Sequence, residues 1–193
     1  MKKLKKLSLI LALALISSAT FAQGIFDKFE DKDGVMSVVV NQKMFKMLST
    51  MGLDVDDPEA QGYIEMAKKI TGLKVFTTGD ESISADMSAT VNSYLRSSKL
   101  EELMRIKDGD QTVNFYVKEG KDENHVQELL MFVNGLKEFT SGKDITINGK
   151  KREVETVLLS LTGDIDLREI SKLTSQMNLP GGDQLKKAGK SNK

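Results

Sequence analysis

The chain has 193 residues, with 28 Lys and Arg against 28 Asp and Glu, one His and no Cys. That length suits one domain with its own core. The absence of Cys excludes disulfides, thiol nucleophiles and thiolate metal sites, and the balanced charge gives no general attraction for nucleic acid or anionic lipid.

Lys2, Lys3, Lys5 and Lys6 open the chain as a basic region. Leu7 to Ile16 follow as an apolar run broken by Ser8, and Thr20-Phe21-Ala22 offers a small-residue cleavage site before Gln23. Residues 1–22 therefore read as a secretory signal peptide, too short to span a membrane as a helix. No Cys follows the apolar run, so the expectation is a soluble periplasmic protein and not a lipoprotein. Without the four signal lysines the mature charge is 24 − 28 = −4. No later apolar run reaches membrane-spanning length, so no integral membrane segment is expected after cleavage.

Gln23 to Gly34 is polar and Asp-rich with Phe26 and Phe29 interleaved, and is expected to loop onto the body. Val35 to Val40, with three consecutive valines, predicts an interior strand. Asn41 can cap a short helix carrying Met44, Phe45, Leu48 and Met51. After a break at Gly52 to Asp56, Asp57-Pro58 is a helix start; Ala60, Tyr63, Ile64, Ala67 and Ile70 follow at helical spacing, and Gly72 is the expected end. Leu73 to Thr78 predicts a strand. Ser82 to Ser98 is the clearest amphipathic helix, with Ile83, Met87, Val91, Tyr94 and Leu95 on one face.

From Leu100 the period changes from helical to two. Leu103 to Lys107, Gln111 to Lys118 and Val126 to Val133 predict three strands, with a hairpin at Asp108-Gly109 and a polar turn from Glu119 to Asn124. Val113, Phe115 and Val117 should face the core, with Asn114, Tyr116 and Lys118 opposite. Asn148-Gly149 marks a second hairpin, led by Ile145 and Ile147. The stretch from Glu155 to Asn178 carries the densest local signals. Val157, Leu158, Leu159 and Leu161 read as a strand buried on both faces, and Thr162-Gly163-Asp164 as a turn. Asp166 is an N-cap with Glu169 in capping-box position, and Ile165 and Ile170 can form a hydrophobic staple. Leu179-Pro180-Gly181-Gly182 stops regular structure. Beyond it, residues 181–193, with Lys186, Lys187, Lys190 and Lys193, predict a disordered tail.

Helices thus dominate the first half and a meander of strands the second. The fold class expected is α+β, a single domain over residues 23–180. Its largely antiparallel sheet should have about five to six strands with helices packed on one face.

Sequence assigns no catalytic, cofactor-binding or metal-ligating residue, and no cofactor. His125, beside Lys121-Asp122-Glu123-Asn124, reads as a solvated turn residue. No serine stands on a Gly-x-Ser-x-Gly elbow, and one histidine makes no His-rich metal site. Among the acids, no carboxylate pair is singled out by spacing. Glu30-Asp31-Lys32-Asp33-Gly34 is similar to a calcium loop, but the first ligand position falls on Phe29 and the closing glutamate position on Val40. Asp164 and Asp166 flank Ile165, where capping already explains Asp166. Phosphate-cradling glycine patterns are missing. Met44, Met47 and Met51 stand at spacings suited to an adaptable binding surface, with core filling the simpler reading.

FDKFEDKDGVMSVVVN, LKVFTT, YLRSSKLEELMRIKDGDQTVNFYVKEG, HVQELLMFVNG and VLLSLTGDIDLREISKLTSQMNLPGG span essentially the whole mature chain. In these the sequence resembles the family named domain of unknown function 4252, exported proteins of Gram-negative bacteria. The resemblance implies no assigned activity and brings no catalytic residues. Some relatives are lipoproteins, which the missing Cys argues against here. Neighbourhood to extracytoplasmic-function sigma factors implies a link to envelope stress or signalling. The function expected is therefore a non-catalytic binding module of the cell envelope with an envelope protein as partner and no nucleic acid. The alternative is a small-molecule or ion binder, including an enzyme built on carboxylates; the ligand class is unknown.

Overall fold

The computed structural model of the protein describes residues 24–50, 58–141, 146–147, 150–151 and 153–170. The expected signal peptide, the break and Asp57, Ile145, the Asn148-Gly149 turn and everything after residue 170 lie outside them.

Strands β1 (Val35–Asn41), β2 (Ile70–Thr78), β3 (Glu101–Asp108), β4 (Gln111–Glu119), β5 (His125–Asn134) and β8 (Thr156–Asp166) form one antiparallel sheet in the order β1-β2-β8-β5-β4-β3. Two short strands, β6 (Thr146–Ile147) and β7 (Lys150–Lys151), pair separately. The helices are α1 (Gln42–Thr50), α2 (Pro58–Lys69), α3 (Glu81–Ser97) and α4 (Lys137–Thr140), and the chain is helical again over residues 167–170. The domain is α+β with an antiparallel sheet, as its sequence predicts.

The face under α3 holds the first core. Asp80 caps α3, its Oδ1 accepting from Ile83 N at 2.9 Å, a contact worth about 1 kcal/mol. Ile83, Met87, Val91 and Tyr94 are buried against Phe76, Leu130, Phe132 and Leu158, and Leu95 packs at the margin. Phe26 and Phe29 complete this core at 1% and 0% exposure, so the N-terminal segment does loop onto the body. Phe26 meets Tyr94 edge-on, with ring centroids 5.3 Å apart. Lys74 clamps the same segment, paired with Asp27 and, at 2.7 Å, with Glu30. Ser37 Oγ also donates to the Glu30 carbonyl at 2.6 Å. A polar chain ties α3 to the sheet centre. Thr156 Oγ1 donates to Asn134 Oδ1 at 2.7 Å, and Asn134 Nδ2 to Ser88 Oγ at 3.2 Å.

The second core lies on the other face, where Ile70, Phe115, Val126, Leu129 and Ile165 are buried. Phe45 of α1 and Leu167 and Ile170 pack at its margin.

Several local expectations change. Val35 to Val40 is an edge strand instead of an interior one: β1 closes the sheet, with Val38 and Val39 at 43% and 45% exposure. A valine run reports β-propensity and not position in a sheet. Helix α2 stops at Lys69, and Ile70 opens β2 at 2% exposure while Gly72 pairs inside the strand. Ile70 fits both the helical and the strand period, and burial in the second core decides between them. The expected turn at Thr162-Gly163-Asp164 is absent, because β8 runs straight through it. Gly163 has φ 143°, and a Cβ there would lie 2.4 Å from the Lys69 carbonyl oxygen. Its glycine permits close approach of β2 beside a register shift between Ile70 and Gly72. Those for His125, Met44 and Met47 change as well.

Elsewhere the local chemistry holds. Asn41 Oδ1 accepts from Met44 N at 3.0 Å. The β3–β4 hairpin turns through Gly109, whose φ of 56° suits glycine. Asp166 Oδ1 accepts from Arg168 N at 2.9 Å, capping the helical turn at 167–170.

Candidate functional site

His125 opens β5 with its side chain only 12% exposed. It is therefore not solvated. Its Nδ1 lies 2.6 Å from Asp122 Oδ1 and its Nε2 3.8 Å from Asp166 Oδ2. A hydrogen bond from His125 holds the Asp122 carboxyl below its usual range, and the Arg168 guanidinium does the same for Asp166. Both ring nitrogens face carboxylates, so this histidine is a tie between the β4–β5 turn and the end of β8. Asp164, expected near Asp166, pairs instead with Lys121 at 2.7 Å. Among the described residues no group of three or more His, Asp or Glu is arranged to hold a metal ion.

Glu128 is a buried acid that sequence reasoning missed. It is 4% exposed, and Tyr94 Oη lies 3.0 and 2.8 Å from its two carboxylate oxygens. Burial raises the Glu128 carboxyl above its ordinary range against the opposing Tyr94 hydrogen bond, and burial likewise pushes the Tyr94 hydroxyl up. The period-two pattern of β5 does place Glu128 on the face of Leu130 and Phe132. This pair is enclosed in the first core and offers no opening to a substrate.

A cleft of about 330 Å³ is lined by Gly34, Met36, Thr77, Thr78, Gly79, Asp80, Glu153 and Val154. Thr77 Oγ1 is buried there without a hydrogen-bond partner.

The sheet face opposite α3 is the most distinctive surface. Cross-strand partners in an antiparallel sheet project to the same side, so the registers define rows. One row runs Val38–Val75–Leu159–Met131–Phe115–Met104 across all six strands. On one side of it runs Met36–Thr77–Val157–Val133–Val113–Ile106, and on the other Val40–Leu73–Leu161–Leu129–Val117, ending on Glu101. Every position but Thr77 and Glu101 is apolar. The α3 face, in contrast, mixes Lys74, Ser160, Glu128, Asn114 and Arg105 with its apolar residues. Yet of the apolar side chains in these rows only Phe115, Leu129 and Val133 are buried. Val113, Phe115 and Val117 face a core as expected, but it is the less covered of the two.

Helix α1 flanks this face and extends its apolar character outward. Phe45 packs inward, while Met44, Met47 and Leu48 are 42%, 47% and 51% exposed. Core filling by Met44 and Met47 is thus not what the fold does with them, and Met51 lies outside the described residues. In the rows only Val38 is exposed and the other apolar side chains are buried or half-buried, so with Met44, Met47 and Leu48 of α1 they form a partly covered apolar face rimmed by adaptable methionines. Sequence alternation identified Val113, Phe115 and Val117 of this face; how far the described helices cover it was not visible there. No helix among the described residues is long and apolar enough to cross a membrane.

No curated protein and no solved structure matches the chain. A family model does, the one described as domain of unknown function (DUF4252), over residues 29–173. That match takes in all six strands of the sheet and the helices packed on it, and the chain belongs to this family.

Proposed function

We propose that the protein is a non-catalytic binding domain of the cell envelope, acting in the periplasm after export and engaging an envelope protein through the open apolar face. The observation that carries this reading is the three-row apolar face, left half-covered while the more polar face is sealed by α3. Covering such a surface is favourable by about 25 cal/mol per Å² of apolar area removed from water. The basic and apolar N-terminal segment of the sequence supports export. A place in envelope stress or sigma-factor signalling rests on the family resemblance alone.

Adjacent residues of β3 provide the test, since Met104 and Ile106 lie on the open face and Arg105 and Lys107 on the other. Photoreactive side chains at Met104 and Ile106 should capture the same envelope protein in intact cells, and those at Arg105 and Lys107 should not. Ile106→Lys, with circular dichroism unchanged, should abolish that capture. Equal capture from both faces, or none from either, overturns the reading. Export is checked by sequencing the N-terminus of protein from a periplasmic extract, expected to begin at Gln23.

The second reading is a small ligand in the cleft beside Met36 and Thr77, favoured by the unpartnered Thr77 hydroxyl. A thermal-shift screen with Thr77→Val as control separates the two. A ligand that raises the wild-type melting temperature and leaves Thr77→Val unmoved supports the cleft.

A further inference from the structure

The two edges of the sheet are built differently. β3 carries Glu101, Glu102, Arg105, Lys107 and Asp108 and has a register shift between Glu102 and Met104. Charges and irregularities of this kind keep a sheet edge from pairing. β1 has neither. Its sequence, VMSVVVN, contains no charge and no proline, and it pairs with β2 over all seven residues without a shift. No strand lies beyond it among the described residues. Val38 and Val39 point to opposite faces and are both exposed. A regular, uncharged, exposed edge is a template for another strand.

The charges around the strand indicate which one. We propose that β1 pairs antiparallel with β1 of a second copy about a two-fold axis at Val38, joining two sheets into one across a homodimer. Homotypic pairing sets like residues near like, so charge close to the axis would be repulsive, and β1 has none. With Val38 opposite itself, Val39 meets Ser37 and Val40 meets Met36 of the other copy, each pair on one face. Antiparallel pairing also brings the start of one β1 beside the end of the other. Asp31 and Asp33 lead into β1 and are exposed, while Lys43 and Lys46 follow it on α1 and are exposed. None of these four makes an ion pair among the described residues. In the dimer the acidic lead-in of each copy faces the basic helix of the other, and symmetry makes the contact twice. A foreign strand with a charged edge would find no complementary charge along β1.

A chain without Cys allows a direct test. Residues directly opposed in an antiparallel pair have Cα atoms about 4.5–5.5 Å apart, within the reach of a disulfide. Mild oxidation of full-length Val38→Cys should give a disulfide-linked dimer. The same treatment of Leu103→Cys, on the exposed β3 edge, should not. Sedimentation should show a wild-type dimer whose dissociation constant rises at least about tenfold in Val38→Lys and in Lys43→Glu/Lys46→Glu. Adding Asp31→Lys/Asp33→Lys to the latter should restore it. Val38→Cys decides the matter even where Val38→Lys fails to fold. No more crosslinking at position 38 than at 103, or a wild-type protein that stays monomeric at about 100 µM, overturns the proposal. The envelope-binding reading is tested at Met104 and Ile106 on the opposite edge, so either can fail alone.

Discussion

Glu128 shows how one residue couples stability to pH. Its carboxyl sits in the first core beside Tyr94, and burial raises its folded pKa above the unfolded value. The folded state therefore holds the proton more tightly, and stability is lost as pH rises through the folded pKa. Glu128→Gln can still accept from Tyr94 but never ionises. The melting temperature of Glu128→Gln relative to wild type should accordingly climb as pH is raised from about 4 to 8; a flat difference would contradict this. Asp166 behaves in the opposite sense. Arg168 holds its carboxyl below the usual range, so its contribution is present above the unfolded pKa and fades as pH falls through the folded one. Asp166→Ala removes the cap on Arg168 N and should cost about 1 kcal/mol in urea unfolding near neutral pH. The deficit should narrow in acid. The cap was legible from Asp166 standing ahead of an amphipathic run. Glu128 was not, because a lone acid in a strand reads as solvent-facing until the helix above it is placed.

At the scale of the element, β8 gives the clearest contrast between local signal and outcome. Thr162-Gly163-Asp164 has the composition of a turn, and the strand passes through it because β2 pairs with β8 as far as Gly163 and β5 pairs with it as far as Asp166. Gly163 is required for contact with the chain at Lys69 and Ile70. Gly163→Ala should therefore destabilise the protein by more than about 1 kcal/mol, since the added methyl meets backbone on a φ that L side chains rarely adopt. Calorimetry checks this; a neutral result would mean that β2 can move away. β1 makes the converse case. Its three valines suit an interior strand, and the sheet leaves them on an edge with no charge to guard it.

Over the whole molecule, the two faces of the sheet should respond differently to mutation. Leu130 is fully buried under α3, and Leu130→Ala should cost about 2–5 kcal/mol. Ile106 lies on the open face at the β3 edge, and Ile106→Lys should cost less than about 1 kcal/mol. Denaturant titration of both variants measures the asymmetry, and equal losses would show that the open face is a closed core. The same asymmetry separates folding from binding: substitutions beneath α3 should lower the amount of folded protein, and those on the open rows should spare it.

Local rules sufficed for much of this protein. Caps at Asn41 and Asp166, the β3–β4 turn, the α3 stripe and the strand periods follow from contacts within a few residues, and with the order of elements they determined the α+β class. Strand order, the fate of Gly163, the partial burial of His125, the burial of Glu128, and the exposure of Met44 and Met47 depend on residues far away in sequence. The candidate site belongs to this second group. Alternation assigns a face to Phe115 in β4, while Val38, Leu159 and Met131 stand in unbroken apolar runs that assign none. Only the registers between strands align them in one row, and only the packing of the helices decides which face stays open.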